Sequence, residues 1–283
     1  MLNILLMKEF KVTKKSGHQV LFDESKLRSS LEVSGASLEL IDKVMDEFYS
    51  IAQDGMSTHK VYKKAYSILS KLSHRTAGRY RLKNAILELG PTGYPFEKFV
   101  GELVKHDGFS VETGVIIKGQ CVNHEVDVVA ENSKRMVVVE CKFHNDGKGK
   151  SDVKVPLYIK SRFNDIHNVW EKEGKIKGRE YEGWIVTNTR FTEDAVEYGR
   201  CSGLNLLSWD YPKNNSLKDI IDRSGLHPIT SLKSLTKKEK MSIIDKGVVL
   251  CRNIDQELLA ECNINSRKFK KILDEARNIY EIL

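Results

Sequence analysis

Residues 8–22, KEFKVTKKSGHQVLF, alternate between apolar and polar positions and turn at Ser16-Gly17, which predicts a β-hairpin with a basic turn. Asp23 is placed to cap a helix that runs to about Val33. Leu38, Ile41, Val44, Met45 and Phe48 then recur at helical spacing. Ser57-Thr58 caps a third helix, whose apolar positions are Val61, Ala65, Ile68, Leu69 and Leu72. Arg75–Leu89 forms a fourth, stopped by Gly90-Pro91. A hairpin followed by four such helices makes a small domain over residues 1–90.

The middle of the chain changes rhythm. Phe96, Phe99, Val100 and Leu103 predict a helix over 96–109. Val122–Phe143, VNHEVDVVAENSKRMVVVECKF, reads as two apolar strands around the polar turn 131–135. A Gly-containing polar loop with Lys148, Lys150 and Lys154 follows, and Pro156 opens a helix carrying Leu157, Tyr158, Phe163 and Ile166. Trp184–Thr187 is a buried strand, and residues 191–209 read as helix, turn and strand, with Thr192 as cap. Tyr211-Pro212 closes this segment. Residues 214–283 are polar and helical, with two short helices expected around Lys246-Gly247-Val248 and a last amphipathic helix from Arg267.

Candidate chemistry sits in the two central strands. Side chains alternate across a strand, so Glu140 and Lys142 share one face while Val139 and Cys141 take the other. Asp127 on the neighbouring strand can bring a second carboxylate to the same place. Two carboxylates offer hard oxygen ligands to Mg²⁺, and a Lys beside them can hold and polarise a water. A satisfied ion pair between Glu140 and Lys142 is the bland reading of the same residues.

Composition narrows the class. The 283 residues are 40% hydrophobic, enough for two or three domains with sizeable cores. The formal net charge of +7 suits a polyanionic partner. Residues 1–90 carry 15 basic and 10 acidic side chains, residues 91–213 carry 18 and 19, and residues 214–283 carry 13 and 10. The excess therefore lies on both sides of the acidic candidate site. The five cysteines (121, 141, 201, 251 and 262) form no CxxC pair, and reduced thiols in a cytoplasmic protein are expected. The apolar run LNILLM is too short for a signal h-region, and no stretch approaches a membrane span. No GxxxxGK[ST] loop occurs, which argues against a motor ATPase.

Asp127, followed thirteen positions later by Glu140-Cys141-Lys142, resembles the core of PD-(D/E)xK nucleases, and most closely their Mrr-like restriction-endonuclease branch. The stretch FEKFVGELVKHDGF, the strand at 184–188 and FTEDAVEYGRCSGLNLLSW extend the likeness across Pro91–Pro212. The first acid here sits in His124-Glu125-Val126-Asp127 rather than in a Pro-Asp pair. The resemblance implies an α/β fold with a central mixed sheet. It also implies Mg²⁺ on Asp127, Glu140 and the main-chain carbonyl of Cys141, and a Lys142 that orients the attacking water. Glu97 enters as a third acid by resemblance, although a helix-start Glu favoured by the dipole is an equal reading and Glu102 a weaker competitor. Arg162 and Lys160 are expected to line the DNA side, and His144 and His167 to be structural or surface residues rather than ligands.

VTKKSGHQVLFDESKLRSSL and YRLKNAILELGPTGYPFE resemble the ATP-cone, the regulatory nucleotide-binding module of ribonucleotide reductases. The resemblance implies that Val12, Lys14, Lys15 and Gly17 of the hairpin, with Lys26 on the first helix, meet ATP or dATP. Residues 246–248 weakly resemble the turn of a helix-hairpin-helix, against a packing or dimerising appendage as the alternative. The whole reads as three domains, 1–90, 91–213 and 214–283. The function expected is a nucleotide-regulated, Mg²⁺-dependent DNA endonuclease. The competing readings are an ATP- or dATP-sensing transcriptional regulator with a silent core, and an interaction protein. A homo-oligomer stays open, since C2 dimers suit nucleases that cut both strands but no interface signal is present.

Overall fold

The computed structural model describes residues 9–14, 16–34, 36–146 and 149–281. The run LNILLM, Lys15 and Lys148 lie outside the described residues. The chain divides into two compact units, Met1–Arg81 and Leu82–Leu283.

In the first unit, β1 (Lys11–Thr13) and β2 (Gln19–Leu21) form the expected antiparallel hairpin. α1 (Glu24–Val33) and α2 (Leu38–Ile51) follow. The sequence pattern misses β3 (Met56–Ser57), which pairs in parallel with β1. Two residues are too few for a periodic signal. Ser57 then caps α3 (Thr58–Leu72) through the amide of Lys60, at 3.2 Å. α4 (His74–Tyr80) ends the unit. Phe10, Val12, Leu31, Val44, Phe48 and Leu69 are among its buried core.

The expected single helix over 75–89 is two. α5 (Leu82–Leu87) belongs to the second unit, so the division falls before 82 rather than at 90. Contacts far along the chain explain this. Thr230 donates to the Ala85 carbonyl at 2.6 Å, and the buried Lys240 ammonium reaches Glu88 at 3.3 Å and the Thr230 carbonyl at 2.8 Å. Local periodicity cannot register partners that distant.

The second unit is built on a mixed five-stranded sheet. α6 (Tyr94–His106) leads into β4 (Ser110–Lys118), β5 (Asn123–Glu131) and β6 (Arg135–Lys142). β7 (Lys150–Ser151) and α7 (Lys154–Lys172) precede β8 (Glu180–Thr187), β9 (Arg190–Phe191), α8 (Glu193–Ser202) and β10 (Leu204–Leu207). The order across the sheet is β10-β8-β6-β5-β4. β4, β5 and β6 pair antiparallel, while β6, β8 and β10 pair parallel. β6 is buried on both faces, as a strand covered on each side must be. On one face α6 packs Phe96, Phe99 and Leu103 against Val137, Val139 and Cys141. On the other, α7 packs Ile159, Phe163 and Ile166 against Val138 and Ile185.

The C-terminal residues do not form a separate third body. α9 (Leu217–Ser224), α10 (Lys237–Asp245), α11 (Gln256–Glu261) and α12 (Phe269–Tyr280) bury Ile221, Ile243, Leu259 and Ile272 in the same core as α6. Gly247 turns with φ +84°, but the segment beyond it bridges to Pro228 through Leu250 and makes only a three-residue 3₁₀ turn. The second helix of the expected pair around 246–248 is therefore absent. Among the described residues no helix is long and apolar enough to cross a membrane.

Close approach of α7 to the sheet depends on Gly183. A Cβ there would meet the Phe163 ring at 2.7 Å and Leu204 at 2.9 Å. Gly183→Ala should lower unfolding free energy by roughly 1–3 kcal/mol, read as a fall in urea midpoint at unchanged slope. An unchanged midpoint would show that α7 does not seat on the sheet in this way.

Candidate active site

The site forms where β5 and β6 stop pairing. Their ladder ends at Val128↔Val139, whereas β6 continues along β8 as far as Lys142↔Thr187. The next positions, Asp127 and Glu140, lie at the opening. There the Cys141 amide donates to the Asp127 carboxylate, Oδ2, at 2.6 Å. A backbone N–H left without a strand partner thus has a charged acceptor.

A kink in the sheet edge presents Asp127. Gly114 lies between the pairs Thr113↔Val128 and Val115↔Val126, facing Asp127, with φ +65°. Glycine takes that conformation at no steric cost. In a regular strand Val126 and Val128 would share a face. Here Val126 belongs to the α7 side of the core and Val128 to the α6 side, so the alternation slips at Asp127.

Glu140 is 5% exposed, and both its oxygens are taken. Lys142 Nζ donates to Oε1 at 2.6 Å, which confirms that the two side chains share a face. Arg162 Nη1, from the third turn of α7, donates to Oε2 at 2.7 Å. The other arm of the same guanidinium donates to the Glu125 carbonyl. The sequence reading placed Arg162 toward DNA; the structure places it on Glu140. Nothing in its helical spacing could have signalled this, because the partner is 22 residues away on another element. Thr187 donates to the Lys142 carbonyl at 2.7 Å, and His144 and Asn188 exchange two hydrogen bonds, which fixes the end of β6.

Glu97, half-buried near the start of α6, has its carboxyl pushed up by burial and then by the charges of Glu125 and Glu140. It therefore faces the same acidic cluster. Glu102 instead pairs with Lys105 at 3.9 Å. Asp127 is raised to about 7, first by burial, then by the Glu140 charge, against the opposing Cys141 hydrogen bond. His144 bonds Ser151 at 3.2 Å and His167 packs on Tyr181. His124, in the departure from Pro-Asp, bonds Asp165 of α7 at 2.8 Å. Asp165 also accepts the Cys121 amide at 3.0 Å, so α7 latches the turn that leads into β5. Among the described residues no three His, Cys, Asp or Glu side chains converge as a ready metal-ligand set.

In the first unit, Val12, Lys14 and Lys26 line one cleft with Thr58, Tyr62 and Tyr80. The Tyr62 and Tyr80 rings stack at 5.1 Å. Lys26 pairs with Asp23 at 2.9 Å, and Gly17 turns the hairpin with φ +84°.

The raised Asp127 carboxyl has a consequence for stability. Below the ordinary carboxylate range both states bind its proton; between about 4 and about 7 only the folded state does, so stability falls as pH rises through that window. Asp127→Asn keeps an acceptor for Cys141 without the charge. Without divalent cations at pH 8 it should be more stable than wild type by on the order of 1–3 kcal/mol, after allowance for partial exposure. At pH 4 the difference should vanish. Chemical denaturation at both values measures it, and a destabilised variant at pH 8 would refute the cost of the buried Asp127 charge.

Residues 90–211 match the restriction endonuclease family, Mrr_cat, and residues 227–280 match the AF1548-like C-terminal family. An uncharacterized protein of Archaeoglobus fulgidus is 33% identical over 183 residues, 64% of this chain and 99% of that one. The crystal structure of AF1548, a protein of unknown function, superposes with a TM-score of 0.55 at 33% identity, covering 67% of this chain and 98% of its own. Can2 from Sulfobacillus thermosulfidooxidans, solved with cyclic tetra-adenylate, is more distant, with a TM-score of 0.33 and 13% identity over 71% of this chain and 54% of its own. With its sheet, its restriction-endonuclease segment and its C-terminal helices all accounted for in this way, the chain belongs to the AF1548-like family and carries a nuclease-like domain.

Proposed function

We propose that the protein is a divalent-cation-dependent endonuclease that hydrolyses DNA. The observation that carries the reading is the opening of the β5–β6 ladder, where Asp127, Glu140 and Lys142 meet within a restriction-endonuclease domain. The donor set fits a hard dication: two carboxylates, with the Cys141 main-chain carbonyl between Glu140 and Lys142 as a third oxygen. The elevated proton affinity of Asp127 fits as well: burial first, and then the Glu140 charge, disfavour a bare carboxylate there, and a bound cation would offset both.

When bound, Mg²⁺ would supply a water of lowered pKa and positive charge beside the phosphate. Lys142 orients the attacking water. Arg162 holds the Glu140 carboxylate in one orientation, and Asp127 keeps its own through the Cys141 amide. Water adds to phosphorus as the bond to the leaving strand breaks, with no covalent enzyme intermediate. Glu97 is a further acid of this site, facing the same charges.

The first unit is proposed to be an ATP-cone that senses ATP or dATP without consuming it. Its support is the sequence resemblance and the shared cleft of Val12, Lys14 and Lys26. Ammonium groups there suit a triphosphate. Lys15 and Gly17 of the hairpin belong to the same proposal. A role against foreign DNA follows by analogy from the restriction-endonuclease domain alone.

One observation favours a second reading, a DNA-binding regulator with a silent core: Glu140 is already neutralised by two cations. Supercoiled-plasmid cleavage with Mg²⁺, with and without ATP or dATP, separates the two. Asp127→Asn and Glu140→Gln should lower the rate by on the order of a thousandfold, and Lys142→Ala by roughly a hundredfold. Added nucleotide should change the wild-type rate. Equal cutting by wild type and Glu140→Gln would remove the site assignment, and no cutting by any form would favour the regulator.

A further inference from the structure

Among the described residues the second unit exposes five large apolar side chains: Tyr94 (51%), Ile116 (73%), Val122 (61%), Leu157 (47%) and Tyr158 (63%). All five lie on the elements that flank the acidic cluster. Tyr94 precedes Glu97 by one turn on α6. Ile116 is the register partner of Glu125. Val122 sits in the turn into β5, its amide directed at Asp165 of α7. Leu157 and Tyr158 lie about one turn before Arg162 on α7. The C-terminal helices contribute none. Apolar exposure gathered in one place marks a binding surface rather than chance scatter.

Both tyrosines carry a cation at i+4. Lys98 Nζ stands 4.9 Å from the Tyr94 ring centroid, and the Arg162 guanidinium stands 5.5 Å from that of Tyr158. α6 packs on one face of the sheet and α7 on the other, so the two pairs bracket the sheet end that holds Asp127 and Glu140. An exposed ring with a cation beside it suits a base that stacks while its phosphate pairs. A continuous duplex keeps its base faces buried in the helix and offers such rings nothing to stack on.

Resting on the nuclease reading, we propose that the substrate is nucleic acid with unpaired bases at the cut. Tyr94 and Tyr158 stack bases on either side of the scissile phosphate, and Lys98 meets an adjoining phosphate, while Arg162 stays on Glu140 and backs the Tyr158 ring. The positive charge beside each ring is what favours a nucleic acid over a second copy of this chain as the occupant.

The test is fluorescence anisotropy of the full-length protein with labelled oligothymidylate and with a duplex of equal length. Ca²⁺ replaces Mg²⁺ because it takes the same oxygen ligands. Wild type should hold the single strand more tightly than the duplex. Tyr94→Ala and Tyr158→Ala should each weaken the single strand by roughly 5- to 100-fold, and the Phe variants should stay close to wild type. Both side chains are exposed, so circular dichroism and Tm should not move. Alanine variants that bind the single strand like wild type while plasmid is still cut would overturn this proposal and leave the nuclease reading standing. Failure to hold either nucleic acid would overturn both. A dimer that the alanine variants convert to monomer, with unchanged oligonucleotide binding, would assign the patch to a second copy and overturn the proposal.

Discussion

The hydrogen bond from the Cys141 amide to Asp127 is the contact on which the site depends. It exists because β5 and β6 part after Val128↔Val139, leaving an N–H that needs an acceptor in a place that water reaches poorly. A carboxylate satisfies it, and in doing so is fixed beside Glu140. Burial disfavours the charge on such an acid, and the Glu140 charge beside it adds to the effect. The chain answers Glu140 with Lys142 and Arg162 and leaves Asp127 with a raised proton affinity.

The surrounding fold is what keeps the strands parted. On one side α7 grips the opening twice: Arg162 holds Glu140 and the Glu125 carbonyl, and Asp165 holds His124 and the turn into β5. On the other side α6 brings Glu97 up to the acids, with Phe96, Phe99 and Leu103 buried beneath it. The C-terminal helices then complete the core under α6, so a segment that looks like an appendage is part of the body that positions the site. Gly114 supplies the kink that turns Asp127 toward the opening.

Much of this was legible in the sequence because the signals are local. The 122–143 hairpin, the shared face of Glu140 and Lys142, the Thr192 and Ser57 caps and the helix that carries Phe96, Phe99 and Leu103 all follow from spacing and turn chemistry. What was not legible depends on partners distant in the chain. Arg162 reads as a surface base until its guanidinium is seen on Glu140. The helix at 75–89 reads as one until Thr230 and Lys240 take hold of its second half. The glycine turn at 247 reads as a helix pair until Leu250 bridges to Pro228. The core shared by 91–213 and 214–283 was not legible for the same reason, because it leaves no mark on local composition.

The central claim is that the parted strands form a cation site built on Asp127 and Glu140. Calorimetric titration of Mg²⁺ or Mn²⁺ into the protein, without nucleic acid, tests it most directly, with Glu140→Gln beside the wild type. The account predicts saturable binding of one or two ions by the wild type and its loss in the variant. Identical titrations for the two proteins, or no binding to the wild type, would contradict it.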